Sequence, residues 1–406
     1  MGGALLQIAA YGPQDLYLTG NPEVTFFKVM YKRHTNFALE SIENTFNGSV
    51  EFGRKLTATI SRNGDLIHKC YLQIELPALT GTGTQAWVRN IGHVLIKEVE
   101  IDIGGQKIDK HYGQWLHIWQ ELTQTKEQED SFNVMIGNTT ELTTEAASLP
   151  ARTLYVPLQF WFNRHIGLAL PIIALQYHEV KVSVELRPFS ECHVSSSGTV
   201  TTPTLTGISL WVDYVYLDTD ERRQFAQIAH EYLIEELQFT GSESFSQTAV
   251  RQRLNFNHPC KELVWVCQLD SNVQTVAAAG GDANRWTDFT DNGSGPNPYN
   301  GDDPLVDAKL QLNGHDRFVT RKAGYFNLVQ PYQHHTRGPA TGIYVYSFAV
   351  KPEEHQPTGS VNMSRVDNAT LNLTMSSSAA MKLYTYMTSS NVLRCMSGMA
   401  GKAYSS

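Results

Sequence analysis

An all-β protein built from two copies of one sandwich is what this 406-residue sequence predicts. Three observations predict it. Short segments that alternate apolar and polar residues recur along the whole chain, each bounded by turn formers. Segments with helical spacing are few. Three sequence anchors occur twice, in the same order, once in each half. A chain of this length also exceeds one ordinary core and suggests two domains.

The alternating segments run through both halves. Residues 55–60 read KLTATI and residues 68–76 read HKCYLQIEL. Residues 98–103 (EVEIDI) end in Gly104-Gly105, a hairpin turn signal. Residues 181–186 (KVSVEL) and 207–217 (GISLWVDYVYL) follow. The second half repeats the style in residues 262–269 (ELVWVCQL), 309–312 (KLQL, before Asn313-Gly314), 343–350 (IYVYSFAV) and 369–375 (ATLNLTM). Two helices are expected. One spans residues 112–122 (YGQWLHIWQEL). The other lies at mid-chain over residues 217–229, with Asp218 or Thr219 as N-cap and Glu221 in its first turn. Its Phe225 and Ile228 are three apart, a spacing that docks both on one face. It is read as the hinge between two domains.

The duplicated anchors carry the two-copy reading. GDLIHKCYLQIEL (residues 64–76) resembles HPCKELVWVCQL (258–269). VEIDIGGQKIDK (99–110) resembles AKLQLNGHDRFVTR (308–321), and LQYHEVKVSVEL (175–186) resembles SRVDNATLNLTM (364–375).

Charge and cysteines narrow the function. Net charge is −8; 16 basic and 21 acidic residues precede residue 218, and 16 and 19 follow, giving −5 and −3. Neither half is a basic module, and the densest basic cluster is Lys32-Arg33-His34. A Lys/Arg-rich arm for neutralising phosphates is absent, so no direct nucleic acid binding is expected. Cys70, Cys192, Cys260, Cys267 and Cys395 are too scattered for a disulfide framework and fit a reducing compartment. The longest apolar run, residues 168–175 (LALPIIAL), is far short of a membrane span, and no signal peptide is read at the start.

No catalytic, cofactor-binding or metal site is expected. His117 and Glu121 share a helical spacing, but two ligands do not make a zinc site. His178-Glu179, His334-His335 and His230-Glu231 are read as loop or interface histidines, the last lacking the second His of a zincin motif. The nucleophile elbow pattern is missing. Glu235-Glu236 and Glu353-Glu354 are adjacent, so a strand points them to opposite faces, and they are read as solvated. Phe160-Trp161-Phe162 and Trp211, Tyr214 and Tyr216 leave open a carbohydrate-binding, lectin-like jelly roll, with stacking aromatics, as the alternative function. A cupin-type enzyme is a distant third. Asn-x-Ser/Thr acceptors occur at Asn47, Asn138, Asn292, Asn362, Asn368 and Asn372; Asn292, in the loop DNGSGPNPYNGDD, is the expected glycosylation candidate.

Long segments of mixed composition resemble the major capsid protein of nucleocytoplasmic large DNA viruses, closest to the algal-virus type. They include YGPQDLYLTGNPEVTFFKVMYKRHTNFALESI from Tyr11, IDIGGQKIDKHYGQW from Ile101 and LYVPLQFWFNRHIGLALPIIALQYHEVKV from Leu154. WVDYVYLDTDERRQFAQIAHEYLIEELQFTG from Trp211, LNFNHPCKELVW from Leu254 and the tail NVLRCMSGMAGKAYSS from Asn391 complete the likeness. The residues 268–304, rich in Asn, Gly and Asp, depart from it.

The resemblance implies a double jelly roll, two eight-stranded antiparallel β-sandwiches in one chain. It implies a structural subunit whose homotrimer forms a pseudo-hexameric capsomer, and neighbouring capsomers that tile an icosahedral shell. The expected division is a base arm over residues 1–23, a first jelly roll over 24–217, a helical linker over 218–229 and a second jelly roll over 230–406. The first strand is expected near residues 24–30, after the Asn21-Pro22 turn. Apolar Leu5, Leu6 and Ile8 of the arm are the expected contacts to minor capsid proteins, penton proteins or an internal membrane layer. Localisation in the virion, after assembly in the host cytoplasm, follows from the same resemblance.

Overall fold

The computed structural model describes residues 12–195, 199–273, 284–291, 299 and 301–405. The chain divides into two units, Met1–Asn36 and Phe37–Ser406.

The described part of the first unit holds one helical turn, Leu16–Thr19, and no strand. Phe26 and Phe27 are 96% and 98% exposed. The strand expected over residues 24–30 is therefore not formed. Its apolar residues come in adjacent pairs, Phe26-Phe27 and Val29-Met30. Val29, Met30 and Tyr31 are exposed with them, so the segment buries neither face against a sheet.

Sheet formation starts at Phe37. The first half of the second unit holds β1 (Phe37–Thr45), β2 (Lys55–Thr59), β3 (Leu66–Leu76), β4 (Leu79–Trp87), β5 (Ile96–Ile103) and β6 (Gln106–Tyr112). It continues with β7 (Ala146–Leu149), β8 (Arg152–Pro157), β9 (Val180–Leu186), β10 (His193–Ser195), β11 (Thr199–Val200) and β12 (Gly207–Leu217). Two sheets, ordered β1-β12-β3-β8 and β2-β9-β5-β6, enclose one core, while β4, β7, β10 and β11 pair separately. Alternation does the sorting: Val180, Val182, Val184 and Leu186 of β9 point inward and the residues between them are half-buried.

The second half holds β13 (His230–Phe245), β14 (Ala249–Leu254), β15 (Pro259–Leu269), β16 (Leu305–Leu312), β17 (His315–Asp316) and β18 (Arg321–Lys322). β19 (Ile343–Ser347), β20 (Val361–Asn362), β21 (Ala369–Met375), β22 (Met381–Met396) and β23 (Met399–Lys402) follow. Its sheets are ordered β13-β22-β15-β19 and β14-β21-β16-β17. When the eight principal strands of each half are counted in sequence, both halves give the orders first-eighth-third-sixth and second-seventh-fourth-fifth. That shared order is the jelly roll, and the fold is a double jelly roll. The repeated sequence anchors fall on equivalent strands: β3 with β15, β5–β6 with β16–β17, and β9 with β21.

The mid-chain helix spans Thr219–Gln227, with the Asp218 carboxylate accepting from the Thr219 N–H at 2.7 Å. Phe225 is half-buried against Leu66, Ala169 and Val215 and stacks on His230 at 5.1 Å. Ile228 does not share that face. It lies beyond the helix in extended backbone and is exposed, because the helix ends one residue too early to carry it round.

The turn from β6 into the helix Gly113–Thr123 is tight enough to require glycine. A Cβ on Gly113 would lie 2.2 Å from the carbonyl oxygens of both His93 and Ile96. Gly338 has nothing within 4 Å of the same position. Gly113→Ala is expected to lower unfolding free energy by about 2 kcal/mol or more. Gly338→Ala is expected to stay within about 0.5 kcal/mol of the parent. Urea denaturation of the two variants checks the contrast, and equal midpoints would refute it.

Candidate functional site

The two jelly rolls of the second unit meet where the helix Gly113–Thr123 lies on the outward face of β15, β19 and β22. Trp115, Ile118, Trp119 and Leu122 recur at helical spacing and pack on Val264, Val266, Ile343, Val345 and Tyr386. Consequently β15 is buried along both faces. Its sequence carries the signal: Leu263, Val264, Trp265, Val266 and Cys267 form a continuous apolar run, the mark of a strand covered on two sides.

Polar groups cross this seam in matched pairs. The Tyr386 hydroxyl donates to Gln114 Oε1 (3.4 Å), Gln114 Nε2 donates to Gln268 Oε1 (2.9 Å), and Gln268 Nε2 donates to the Trp286 carbonyl (2.9 Å). The Arg164 guanidinium sits 3.9 Å over the Trp119 ring and donates to Glu235 Oε2 at 2.8 Å. Lys261 Nζ reaches the other oxygen of Glu235 at 2.6 Å. Asp109 Oδ1 accepts from the Leu237 N–H at 3.1 Å, tying β6 to β13. Glu236, next to Glu235, accepts from Asn391 Nδ2 at 2.9 Å and lies 3.5 Å from Lys402 Nζ. Burial raises its carboxyl to about 7 despite Lys402.

Glu235 and Glu236 are thus not the solvated pair that adjacency suggested. Both are buried, because Arg164, Lys261 and Lys402 converge on them from distant parts of the chain. Glu353 is also held, by His335 and by the Thr336 hydroxyl, whereas Glu354 stays exposed beside Lys351.

Among the described residues no group of three His, Cys, Asp or Glu is arranged to hold an ion. His117 is buried and burial lowers its imidazole, while Glu121 faces Arg337 at 3.9 Å. His178 Nδ1 lies 3.1 Å from the Ala400 carbonyl, His334 Nδ1 lies 2.8 Å from the Val350 carbonyl, and His230 Nε2 lies 3.0 Å from the Phe225 carbonyl. These histidines fasten loops and do not converge. All five cysteines are buried thiols. Phe160, Trp161 and Phe162 lie in the first core and offer no stacking platform. Tyr214 is core as well, while Trp211 is half-buried on the outward face, stacked on Tyr71 at 6.2 Å. Leu5, Leu6, Ile8 and Asn292 lie outside the described residues.

Two family descriptions match the chain: "Major capsid protein N-terminus" over residues 25–218 and "Large eukaryotic DNA virus major capsid protein" over residues 221–401. The chain is similar to the major capsid protein of Pyramimonas orientalis virus, 51% identical over 432 residues with 100% of each chain covered. It is also similar to the major capsid protein of Phaeocystis pouchetii virus, 44% identical over 519 residues and again 100% of each. Among solved structures it resembles PBCV-1 VP54, fitted as a crystal structure into a reconstruction of the virophage Sputnik. That likeness has a TM-score of 0.80 at 39% identity, covering 94% of this chain and 100% of the other.

The deepest ionic group lies within the second jelly roll and acts as a clamp. His335 Nε2 is 2.9 Å from Glu262 Oε2 and its Nδ1 is 2.8 Å from Glu353 Oε1. Burial alone would lower this imidazole, but the two carboxylates outweigh it and raise it to about 9. A raised folded value means that the stabilisation is complete below the unfolded histidine value of about 6.5 and is lost as pH climbs through about 9. Denaturation midpoints measured across that window are expected to fall for the parent. His335→Leu, which strands a buried Glu262, is expected to cost about 3 kcal/mol or more at neutral pH and to flatten that alkaline fall. A parent curve as flat as the variant's would refute the clamp.

Proposed function

The chain belongs to the large eukaryotic DNA virus major capsid protein family, and on that premise we propose that it assembles as a homotrimer forming a pseudo-hexameric capsomer. It is a structural protein of the virion. The observation that carries the trimer is the duplication itself: one chain supplies two jelly rolls of identical strand order, so three chains supply six equivalent walls. Closed cyclic symmetry is the usual outcome for such homo-oligomers. Capsomers of this kind would tile an icosahedral shell assembled in the host cytoplasm, and the role is architectural, without catalysis.

Residues 1–23 serve as the base arm, residues 24–36 precede the first strand of the first jelly roll, and the Thr219–Gln227 helix lies in the connector over residues 218–229, ahead of the second jelly roll at 230–406. The two family matches, which part between residues 218 and 221, support that division. Leu5, Leu6 and Ile8 suit contact with minor capsid and penton proteins or with an internal membrane layer, and Asn292 is the proposed glycosylation acceptor. The net charge of −8 supports a shell that does not itself grip the genome. Sedimentation of the purified chain at neutral pH is expected to give a species of three chains. A monomer alone at tens of micromolar would overturn the reading.

A further inference from the structure

The contact that joins the two jelly rolls has a donor and an acceptor, and each jelly roll contains a version of both. The donor in the first is the helix Gly113–Thr123, which directly follows the fifth strand, β6. In the second jelly roll a helical segment also follows the fifth strand, β17, but after the short β18: a π turn Tyr325–Val329 running into the helix Gln330–His334. Adding 210 to Trp115, Ile118, Trp119 and Leu122 gives Tyr325, Leu328, Val329 and Tyr332. These four are again apolar or aromatic, although Tyr325 to Val329 lie on a π turn and Tyr325 packs against the second core. The fate of the two stripes differs: Ile118 and Leu122 are fully buried, whereas Leu328 is 63% and Tyr332 87% exposed.

The acceptors correspond through strand register. In the second jelly roll Val264 of β15 pairs with Tyr386 of β22 on one side and Val345 of β19 on the other. This row is what the first helix covers. In the first jelly roll Tyr71 of β3 pairs with Trp211 of β12 and Pro157 of β8. The anchor alignment that matches Leu76 to Leu269 also matches Tyr71 to Val264. Trp211–Tyr71–Pro157 is thus the counterpart of Tyr386–Val264–Val345. It is partly open: Tyr155, beside Pro157, is 41% exposed, and a hollow of about 680 Å³ runs from Lys69, Tyr71, Tyr155 and Asp213 to Trp119 and Arg164 at the edge of the intrachain seam.

We propose that Leu328, Val329 and Tyr332 of one copy seat on the Trp211–Tyr71–Tyr155 face of the next copy, repeating between chains the contact that joins the jelly rolls within one. The occupant is a second copy of this chain, because the intrachain seam already shows this kind of stripe bound to this kind of face. The patches differ, so the contact is heterologous and propagates head to tail until it closes. Lys69 and Asp213 supply a polar margin around an aromatic centre, the ordinary make-up of an interface between separately folded chains. The inference rests on the trimer reading and assigns the surfaces that make it.

Two variants test it. Leu328→Asp with Tyr332→Asp removes the stripe, and Tyr71→Asp with Tyr155→Asp spoils the face. The first pair changes exposed residues, so its melting temperature is expected to match that of the parent monomer unit. Each variant alone is expected to sediment as a monomer. Mixed in equal amounts they are expected to form a one-to-one dimer that grows no further, since only one intact stripe and one intact face remain in it. A stripe variant that stays trimeric overturns the assignment while leaving the trimer reading standing. A mixture that stays monomeric at tens of micromolar also overturns it. A parent that is itself monomeric overturns the trimer reading and this inference together.

Discussion

Burial of the outward face of β15 beneath Trp115, Ile118, Trp119 and Leu122 is the contact on which the arrangement of the two jelly rolls depends. A sandwich sheet ordinarily turns one face to its core and the other to water. Here Leu263, Trp265 and Cys267 fill the second jelly roll's own core while Val264 and Val266 meet a helix from the first. Full burial of one large apolar side chain contributes roughly 1.5–3 kcal/mol. Four on the helix and five beneath it outweigh the ion pairs at the same seam, whose attraction is largely offset by desolvation. The seam holds because it is apolar.

What the polar groups add is register. An apolar stripe on an apolar sheet tolerates sliding, since one methyl group serves nearly as well as another. The chain from Tyr386 through Gln114 to Gln268 does not, because a shift of one residue would leave buried amides without partners. Glu235 works the same way, accepting Arg164 from the first jelly roll and Lys261 from its own. In space Glu235 pairs with Arg164 and Lys261, and His335 with Glu262 and Glu353.

Much of the fold was legible because burial on one face writes a period of two. β9 and β21 were read to within a residue of their ends, and the duplicated anchors foretold two copies of one topology. The two longest strands, β13 and β22, escaped for a physical reason. Both meet the junction as well as their own core, so inward and outward positions are buried together and alternation is lost around Ile234 to Glu236 and Tyr386 to Ser389. The helix Gly113–Thr123 was found, but a stripe names no partner sheet. Glu235 and Glu236 were misjudged because their partners lie far away in sequence. The base-arm residues and Asn292 were chosen by resemblance and composition, which fix no geometry.

Duplication explains why the leftover surfaces differ in character from the ones already joined. Within the chain the covered row is Tyr386–Val264–Val345, with no charge among its members. Such a face never meets water once the chain has folded. Its counterpart, Trp211–Tyr71–Pro157, likewise uncharged among its members, is half-buried in the isolated chain with Lys69 and Asp213 beside it, where the covered row has the buried Glu262 at the position of Lys69. It has to remain soluble before a neighbour arrives, and amphipathic aromatics beside charges allow that where a valine-rich face would aggregate. The same holds for the donors: tryptophan and leucine are used where the stripe is buried at once, and tyrosine replaces leucine at position 332, where it waits. One contact, written twice in the sequence, is therefore tuned once for folding and once for assembly.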